Sequence, residues 1–224
     1  MAKLKLCYGA MNAGKTMEAI RVMFNYEQLG HRVLLMKPEV DTKGGNMIVS
    51  RTGYNKKVDV ILKKDDDAYK VFLKENSHGK NIKCVIVDEA QFLTRKQVEE
   101  LTDICDKKDI AVMTYALKNN FQGELFPGVK ALIEYADEIE EIPTLCFNCL
   151  DEPRKARFNV RIKDGKPITI GDEVAIDGDG VEYIPVCRKC FKEIQRGKPS
   201  FNLLKCVIYY DKIYYRCEIS LVVE

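Results

Sequence analysis

The chain has 224 residues, enough for one domain of ordinary size and a small second unit. Its 36 basic and 34 acidic residues leave a formal charge of +2, which gives no electrostatic case for a nucleic-acid or membrane partner beyond a local basic patch. The N-terminal residues lack the apolar core of a signal peptide, and no apolar run approaches the roughly 18 residues of a membrane span.

The first predicted strand leads directly into a glycine-rich loop. Residues 4–8 alternate like a strand, residues 9–16 read GAMNAGKT, and a helical pattern follows from Thr16 to a stop signal at Gly30. The apolar positions predicted for the inner face of that helix are Met17, Ile20, Met23 and Phe24. A strand before the loop and a helix after it are the context that a phosphate-binding motif requires.

The loop has the form G-x-x-x-x-G-K-[ST], which is the P-loop motif. Its glycines allow backbone N–H groups to converge on phosphates, and the helix N-terminus adds a favourable dipole. Lys15 would reach the β- and γ-phosphates, and the Thr16 hydroxyl would bind Mg²⁺. The alternative is that Gly9 and Gly14 only turn a corner between strand and helix.

Strands and helices continue to alternate up to residue 143. An apolar run at residues 33–36 predicts a buried parallel strand, and the polar, glycine-containing residues 39–57 predict a long mobile loop. Further strands are predicted at residues 82–87, 110–116 and 138–142, and further helices after a capping box at Thr94 and from Pro127 to Tyr135. The alternation predicts an α/β domain over residues 1–143, with a parallel sheet flanked by helices.

Two adjacent acidic residues follow the apolar strand at residues 82–87. Asp88 stands where a Walker B carboxylate would hold Mg²⁺, directly or through water. Because the side chains of adjacent residues diverge, Glu89 is free to act as a base on a water or on a substrate hydroxyl. The alternative is a solvated pair of acids at the end of a strand.

Two Cys-x-x-Cys pairs, at Cys146, Cys149, Cys187 and Cys190, predict a tetrahedral zinc site of four thiolates. The 37 residues between the pairs exceed the roughly 15–20 of the common zinc-ribbon spacing. No further group is placed for catalysis, so the zinc would be structural; the alternative is four unrelated buried thiols. Nine cysteines in a P-loop protein fit the reducing cytoplasm better than a disulfide framework.

Residues 144–196, which contain these cysteines, predict a small β-rich zinc-binding domain with a turn at Asp164-Gly165. Residues 197–224 form a C-terminal extension rich in β-forming residues, for which the sequence gives no role.

Residues 88–91 spell D-E-A-Q, a box also found in nucleic-acid helicases. A helicase needs two motor lobes, and the α/β region of this chain makes one. Two alternatives to a kinase stay open on the residues alone. One is a single-lobe P-loop ATPase with a zinc ribbon that acts on nucleic acid, and the other is a nucleotide-sensing module without chemistry.

Further motifs occur in the order and spacing of a known family. They are Lys37-Pro38 with Asp41-Thr42, Ser50-Arg51 near Gly53, Asp88-Glu89-Ala90-Gln91-Phe92, Tyr115-Ala116, the run FQGELF at residues 121–126, and Tyr183 before the second cysteine pair. With the P-loop and the four cysteines, they make roughly residues 3–195 resemble the zinc-containing (type II) thymidine kinases. The resemblance implies a RecA-like P-loop fold and transfer of the γ-phosphate of ATP to the 5′-hydroxyl of thymidine or deoxyuridine, for DNA precursor salvage.

The resemblance also implies roles by position. Glu89 would accept the proton of the 5′-hydroxyl. The implied ATP and Mg²⁺ contacts are Gly9, Met11, Asn12, Ala13, Gly14, Lys15, Thr16, Asp88 and Gln91, with Asp41 and Arg51 close to the phosphates. The implied nucleoside contacts are Met11, Phe92, Phe121, Phe126 and Tyr183, although Phe121 and Phe126 also fit a purely structural role in the core. A loop between the cysteine pairs would close over the nucleoside, in a cytoplasmic homotetramer inhibited by dTTP.

Overall fold

The computed structural model describes residues 1–42, 44–77, 81–149, 151–171 and 181–197. The predicted extension at residues 197–224 therefore lies outside the described residues, apart from Gly197. Across the ranges that are described, every helix is too short or too polar to cross a lipid bilayer.

Strands and helices are interspersed from the N-terminus to residue 141. In chain order they are β1 (Leu4–Gly9), α1 (Lys15–Gln28), β2 (Arg32–Pro38), β3 (Met47–Val49), β4 (Asn55–Lys57), β5 (Val60–Leu62), α2 (Ala68–Asn76), β6 (Ile82–Val87), a 3₁₀ turn (Ala90–Phe92), α3 (Arg95–Lys108), β7 (Ala111–Leu117), α4 (Pro127–Tyr135) and β8 (Glu138–Glu141). Six of the strands form a parallel sheet in the order β5-β2-β6-β7-β1-β8. The predicted α/β fold is confirmed.

Helices cover both faces of this sheet, because its central strands bury apolar residues on both sides. In β6, Val85 and Val87 pack with residues of α2, α3 and α4, whereas Cys84 and Ile86 pack beneath α1. Successive side chains of a strand point to opposite faces, so β6 contributes residues to the hydrophobic clusters on both sides of the sheet. With both faces covered, the carboxyl ends of the strands are the place where loops can build a site.

The buried side of α1 differs from the predicted one. Ala19 and Met23 are buried, whereas Met17 and Phe24 are 41% and 57% exposed. The predicted inner face was based on the positions of the large apolar residues. The helix instead places a small alanine against the sheet, one turn before Met23, which lets it lie close to the strands.

The second half of the predicted loop at residues 39–57 is a β-hairpin. β3 and β4 pair in an antiparallel register, Ile48 is buried, and Lys56 Nζ lies 2.7 Å from a carboxylate oxygen of Glu27 on α1. A two-stranded hairpin on a surface keeps one polar face, so its composition resembles that of a loop.

The sequence pattern does not predict β5 or α2, which are too short to show a clear period. The N-cap of α2 carries the available signal, since the Asp67 carboxylate accepts a hydrogen bond from the Lys70 N–H at 2.9 Å. The predicted capping box of α3 is present, with Thr94 and Gln97 bonding each other's backbone N–H groups.

The C-terminal unit is a small antiparallel sheet followed by a helix. Its elements are β9 (Phe158–Lys163), β10 (Lys166–Ile168), β11 (Val181–Val186) and α5 (Arg188–Gln195), with the strand order β10-β9-β11. Asp164 and Gly165 both have positive φ angles, of 49° and 72°, which is the conformation of the predicted hairpin turn. The sequence pattern does not predict α5.

Gly128 lets α4 pack closely against the 3₁₀ turn that follows β6. A Cβ atom at this position would lie 2.7–2.8 Å from the carbonyl oxygens of Ala90, Gln91 and Leu93. Contacts of that length do not occur in folded proteins without a shift of the backbone. The absence of a side chain at Gly128 therefore fixes the position of the turn and of the residues it carries.

We expect Gly128→Ala to lower the free energy of unfolding by about 1–3 kcal/mol, since the added methyl group overpacks this contact. In a helix, alanine is otherwise more favourable than glycine by up to about 1 kcal/mol. A loss of stability in this variant would therefore come from the overpacked contact. Urea denaturation measures the change, with Lys130→Ala on the exposed side of α4 as the control. Unchanged or increased stability of Gly128→Ala would contradict the close packing.

Candidate active site

The P-loop joins β1 to α1 in a conformation that depends on its two glycines. Gly14 is the N-cap of α1 and has a φ of +82°, and a Cβ at Gly9 would lie 2.6 Å from the carbonyl oxygen of Ile142. Lys15 is buried, and its ammonium group donates to the carbonyl of Ala10 at 3.0 Å, across the loop. The loop thus places a lysine and the N-terminus of a helix side by side, as phosphate binding requires.

The second half of the phosphate site comes from the carboxyl end of β6. The Thr16 hydroxyl donates to Asp88 Oδ2 at 2.9 Å, which joins the P-loop helix to β6. Burial, and secondly the charge of Glu89, raise the pKa of Asp88 to about 7, against the opposing effects of Thr16 and Lys15. A buried carboxylate beside a second acid is a group that a divalent cation would stabilise, so these residues fit Mg²⁺.

A buried glutamine binds the side chain of Glu89. Glu89 has a φ of 52°, and Gln91 Nε2 donates to Glu89 Oε2 at 2.5 Å. The other end of the Gln91 amide accepts a hydrogen bond from the Leu117 N–H at 2.9 Å, at the end of β7. The two neighbouring acids therefore have different partners, which agrees with the divergence expected from the sequence.

Asp41 and Arg51, which the sequence predicts close to the phosphates, lie on the segment between β2 and β4. The Lys37 ammonium group, fully buried, donates to Asp41 Oδ2 at 2.9 Å. The guanidinium of Arg51 donates to the side-chain oxygen of Asn12 in the P-loop. The structure therefore brings the Arg51 loop against the phosphate site.

The predicted nucleoside residues fall into two groups. Phe92 and Phe126 form an edge-to-face pair with centroids 5.8 Å apart, at the margin of the main hydrophobic cluster. Phe121 is 2% exposed and lies under the guanidinium of Arg161, whose Nε also donates to the Tyr183 hydroxyl. The burial of Phe121 and Phe126 is compatible with both roles that the sequence left open.

The four cysteines of the two Cys-x-x-Cys pairs come together near the start of α5. Their Sγ atoms all lie within 4.8 Å of one another, and Cys149 Sγ is 3.9 Å from Cys187 Sγ and 3.6 Å from Cys190 Sγ. Tetrahedral zinc with Zn–S bonds of about 2.3 Å would separate its sulfur atoms by roughly 3.8 Å. The cluster fits zinc, and the alternative of four unrelated thiols does not explain this arrangement.

Basic side chains surround the cysteine cluster. A groove of about 380 Å³ beside Cys187 is lined by Arg154, Lys155, Arg157, Arg188, Lys189 and Lys192. Four thiolates around one Zn²⁺ carry an excess of negative charge, which nearby cations offset. The hydrogen bond with Glu152, and then the charges of Cys149 and Glu152, raise the pKa of Arg154.

Comparison with known proteins shows which family has both this P-loop site and this cysteine cluster in its chain. The thymidine kinase family profile matches residues 2–191. The chain belongs to the thymidine kinase family. It is 42% identical over 195 residues to the thymidine kinase of Lactobacillus acidophilus, covering 84% of this chain and 95% of that protein. It is also 42% identical to the thymidine kinases of Lactococcus lactis, over 84% of this chain and 96% of the other, and of Streptococcus gordonii, over 90% of this chain and all of the other.

The thymidine kinase function expected from the sequence is thereby confirmed, and with it an enzyme of the phosphotransferase class. The structure adds residues that sequence reasoning missed. Asn159 on β9 is 3% exposed and accepts a hydrogen bond from the Met11 N–H at 2.7 Å, so the small sheet contacts the P-loop directly. Arg161 on the same strand is 5% exposed. Polar residues in an alternating strand predict a face exposed to solvent, so the sequence pattern did not indicate that Asn159 and Arg161 are buried.

We expect Cys187→Ser to reduce the zinc content of the purified protein well below the roughly one atom per chain that a four-thiolate site holds. Loss of a thiolate weakens a tetrahedral site, because serine is a poorer zinc ligand. Elemental analysis by mass spectrometry gives the zinc content, with Cys105→Ala as the control.

Cys105 is buried in the main cluster, where burial raises the pKa of its thiol to about 11, so its loss should leave the zinc content unchanged. Equal zinc in wild type and Cys187→Ser would contradict the assignment of the cluster to zinc.

Proposed function

We propose that the protein transfers the γ-phosphate of Mg-ATP to the 5′-hydroxyl of thymidine or deoxyuridine, with Glu89 as the general base. The observation that carries the proposal is that two adjacent acids have different side-chain partners: Asp88 is bonded to the P-loop threonine, and Glu89 is bonded to Gln91. One acid thus belongs to the phosphate side of the site, and the other is available to a second substrate.

On the phosphate side, Lys15 would neutralise charge on the β- and γ-phosphates, and Thr16 and Asp88 would hold Mg²⁺. The bound ion supplies charge neutralisation of the phosphate oxygens. The backbone N–H groups of Asn12, Ala13 and Gly14 would bind phosphate oxygens at the start of α1. Phosphoryl transfer depends on such positioning and charge stabilisation more than on covalent help from the protein.

On the acceptor side, Glu89 would accept the proton of the 5′-hydroxyl as the oxygen attacks the γ-phosphate. The hydrogen bond from Gln91 holds one carboxylate oxygen of Glu89, which leaves the other free to face the substrate. Gln91 was expected among the ATP contacts. Its two hydrogen bonds support a different role, the orientation of Glu89 relative to the end of β7.

The nucleoside would occupy a pocket formed by Met11, Phe92, Phe121, Phe126 and Tyr183. A kinase must keep water from the γ-phosphate, and aromatic side chains together with the zinc-bearing unit supply the cover. The same family membership supports a cytoplasmic homotetramer with inhibition by dTTP, which we include in the proposal. Light scattering of the purified protein and assays with added dTTP test these two properties.

Incubation with Mg-ATP and each deoxynucleoside in turn, followed by chromatography, tests the substrate directly. Thymidine and deoxyuridine should give monophosphates, with one ADP formed for each, and deoxycytidine and the purine deoxynucleosides should not. ADP release that depends on DNA or RNA, without any nucleoside monophosphate, would contradict the kinase and favour an ATPase.

Glu89→Gln should lower kcat about 10²-fold or more, which is the usual worth of a general base. Glutamine keeps the size of the side chain and can still accept the hydrogen bond from Gln91, so ATP binding should stay within about twofold of wild type. Steady-state kinetics with thymidine and titration with a fluorescent ATP analogue measure the two quantities.

The matched control is Glu99→Gln, an acid-to-amide change at a partly exposed position of α3, where Glu99 bonds Arg95 and Tyr135. Its kcat should equal that of the wild type. Turnover by Glu89→Gln at the level of this control would remove Glu89 from the role of base.

A further inference from the structure

Strand β9 presents two buried polar side chains on one face. Asn159 and Arg161 are two residues apart, so they point to the same side of the strand, and both are at least 95% buried. Both face the α/β unit, since Asn159 bonds Met11 of the P-loop and Arg161 lies over Phe121. Burial of an arginine is costly unless its guanidinium is compensated, and two aromatic residues are among the groups that contact the guanidinium of Arg161.

Arg161 contacts two residues of the proposed nucleoside pocket at once. The centre of its guanidinium lies 3.8 Å from the ring centroid of Phe121, and its Nε donates to the Tyr183 hydroxyl at 2.9 Å. It also lies 5.4 Å from the centroid of the Tyr183 ring. A planar guanidinium can stack on one aromatic ring while it donates in its own plane to a second group, and an ammonium group cannot.

The two aromatic residues come from different parts of the chain. Phe121 lies in the loop between β7 and α4, and Tyr183 lies on β11, paired with Arg161 itself across the small sheet. Gly171 approaches the same guanidinium, since a Cβ there would lie 3.3 Å from Arg161 Nη1. One side chain therefore contacts both the loop of the α/β unit and the small C-terminal sheet.

We propose that Arg161 is a positioning residue for the nucleoside, which fixes the Phe121 ring and the Tyr183 hydroxyl relative to each other. The proposal rests on the proposed function, because it is the thymidine pocket that these aromatic residues would line. In this proposal Arg161 acts through these two residues and not at the phosphate site. Its loss should therefore weaken the use of thymidine and leave the use of ATP unchanged.

The test compares Arg161→Met, which keeps the length of the side chain and removes the charge and the donors, with Lys163→Met. Lys163 lies on the same face of β9 and is exposed, so it is a matched control. Arg161→Met should raise the KM for thymidine about tenfold, from the loss of a cation–π contact and a charged hydrogen bond. The KM for ATP and the zinc content should stay within about twofold of wild type.

A purely structural role for Arg161 predicts another pattern, in which zinc content, melting temperature, kcat and both KM values change together. That pattern would overturn the proposal, as would a thymidine KM equal to that of Lys163→Met. If Arg161→Met does not fold, Arg161→Lys provides the comparison, because it keeps the charge and loses the planar donor. Its thymidine KM should rise by about threefold, and a wild-type value would overturn the proposal.

A double-mutant cycle with Tyr183→Phe tests the coupling itself. If Arg161 acts partly through the Tyr183 hydroxyl, the combined variant should have a lower thymidine KM than the product of the two single effects predicts. Strictly multiplicative effects would contradict that link. Failure of the proposed function is distinguishable, because wild type and Lys163→Met would then form no thymidine monophosphate in the same assay.

Discussion

The hydrogen bond between Thr16 and Asp88 is the contact on which the rest of the active site depends. It joins the first turn of α1 to the carboxyl end of β6, and so unites the two halves of a phosphate site across neighbouring loops. The buried carboxylate of Asp88, beside a second acid, is a place for a cation. In the proposed mechanism Asp88 serves this side, and the adjacent Glu89, whose side chain is bonded to Gln91, is available to face the acceptor.

Close packing supports the turn whose Gln91 binds the Glu89 side chain. The absence of a side chain at Gly128 lets α4 press on the 3₁₀ turn, and Gln91 in that turn ties Glu89 to the end of β7. From the other side, Phe191 of α5 lies so close to Gly123 that a Cβ there would be 2.9 Å from its ring. Zinc held by the four cysteines would stabilise the small unit that carries α5, and Phe191 of this unit packs against the loop that contains Phe121 and Gly123.

The sequence predicted those parts whose signal is local. A few neighbouring residues are enough to predict the P-loop, the acids after β6, the capping box of α3 and the cysteine pairs, and the structure contains each of them. Contacts between distant segments left no such signal. Asn159 and Arg161 resemble solvated strand residues until β9 is placed against the P-loop, and the hairpin of β3 and β4 resembles a loop because it is short and polar.

The most direct measurement is a crystal structure with thymidine and a non-hydrolysable ATP analogue bound with Mg²⁺. A carboxylate oxygen of Glu89 should lie about 2.6–3.2 Å from the 5′-oxygen of the nucleoside, as a general base requires, with Asp88 directed at the metal. The Phe121 ring and the Tyr183 hydroxyl should border the base. A Glu89 carboxylate turned away from the 5′-oxygen, with no acid in its place, would contradict the division of roles between these two neighbouring residues.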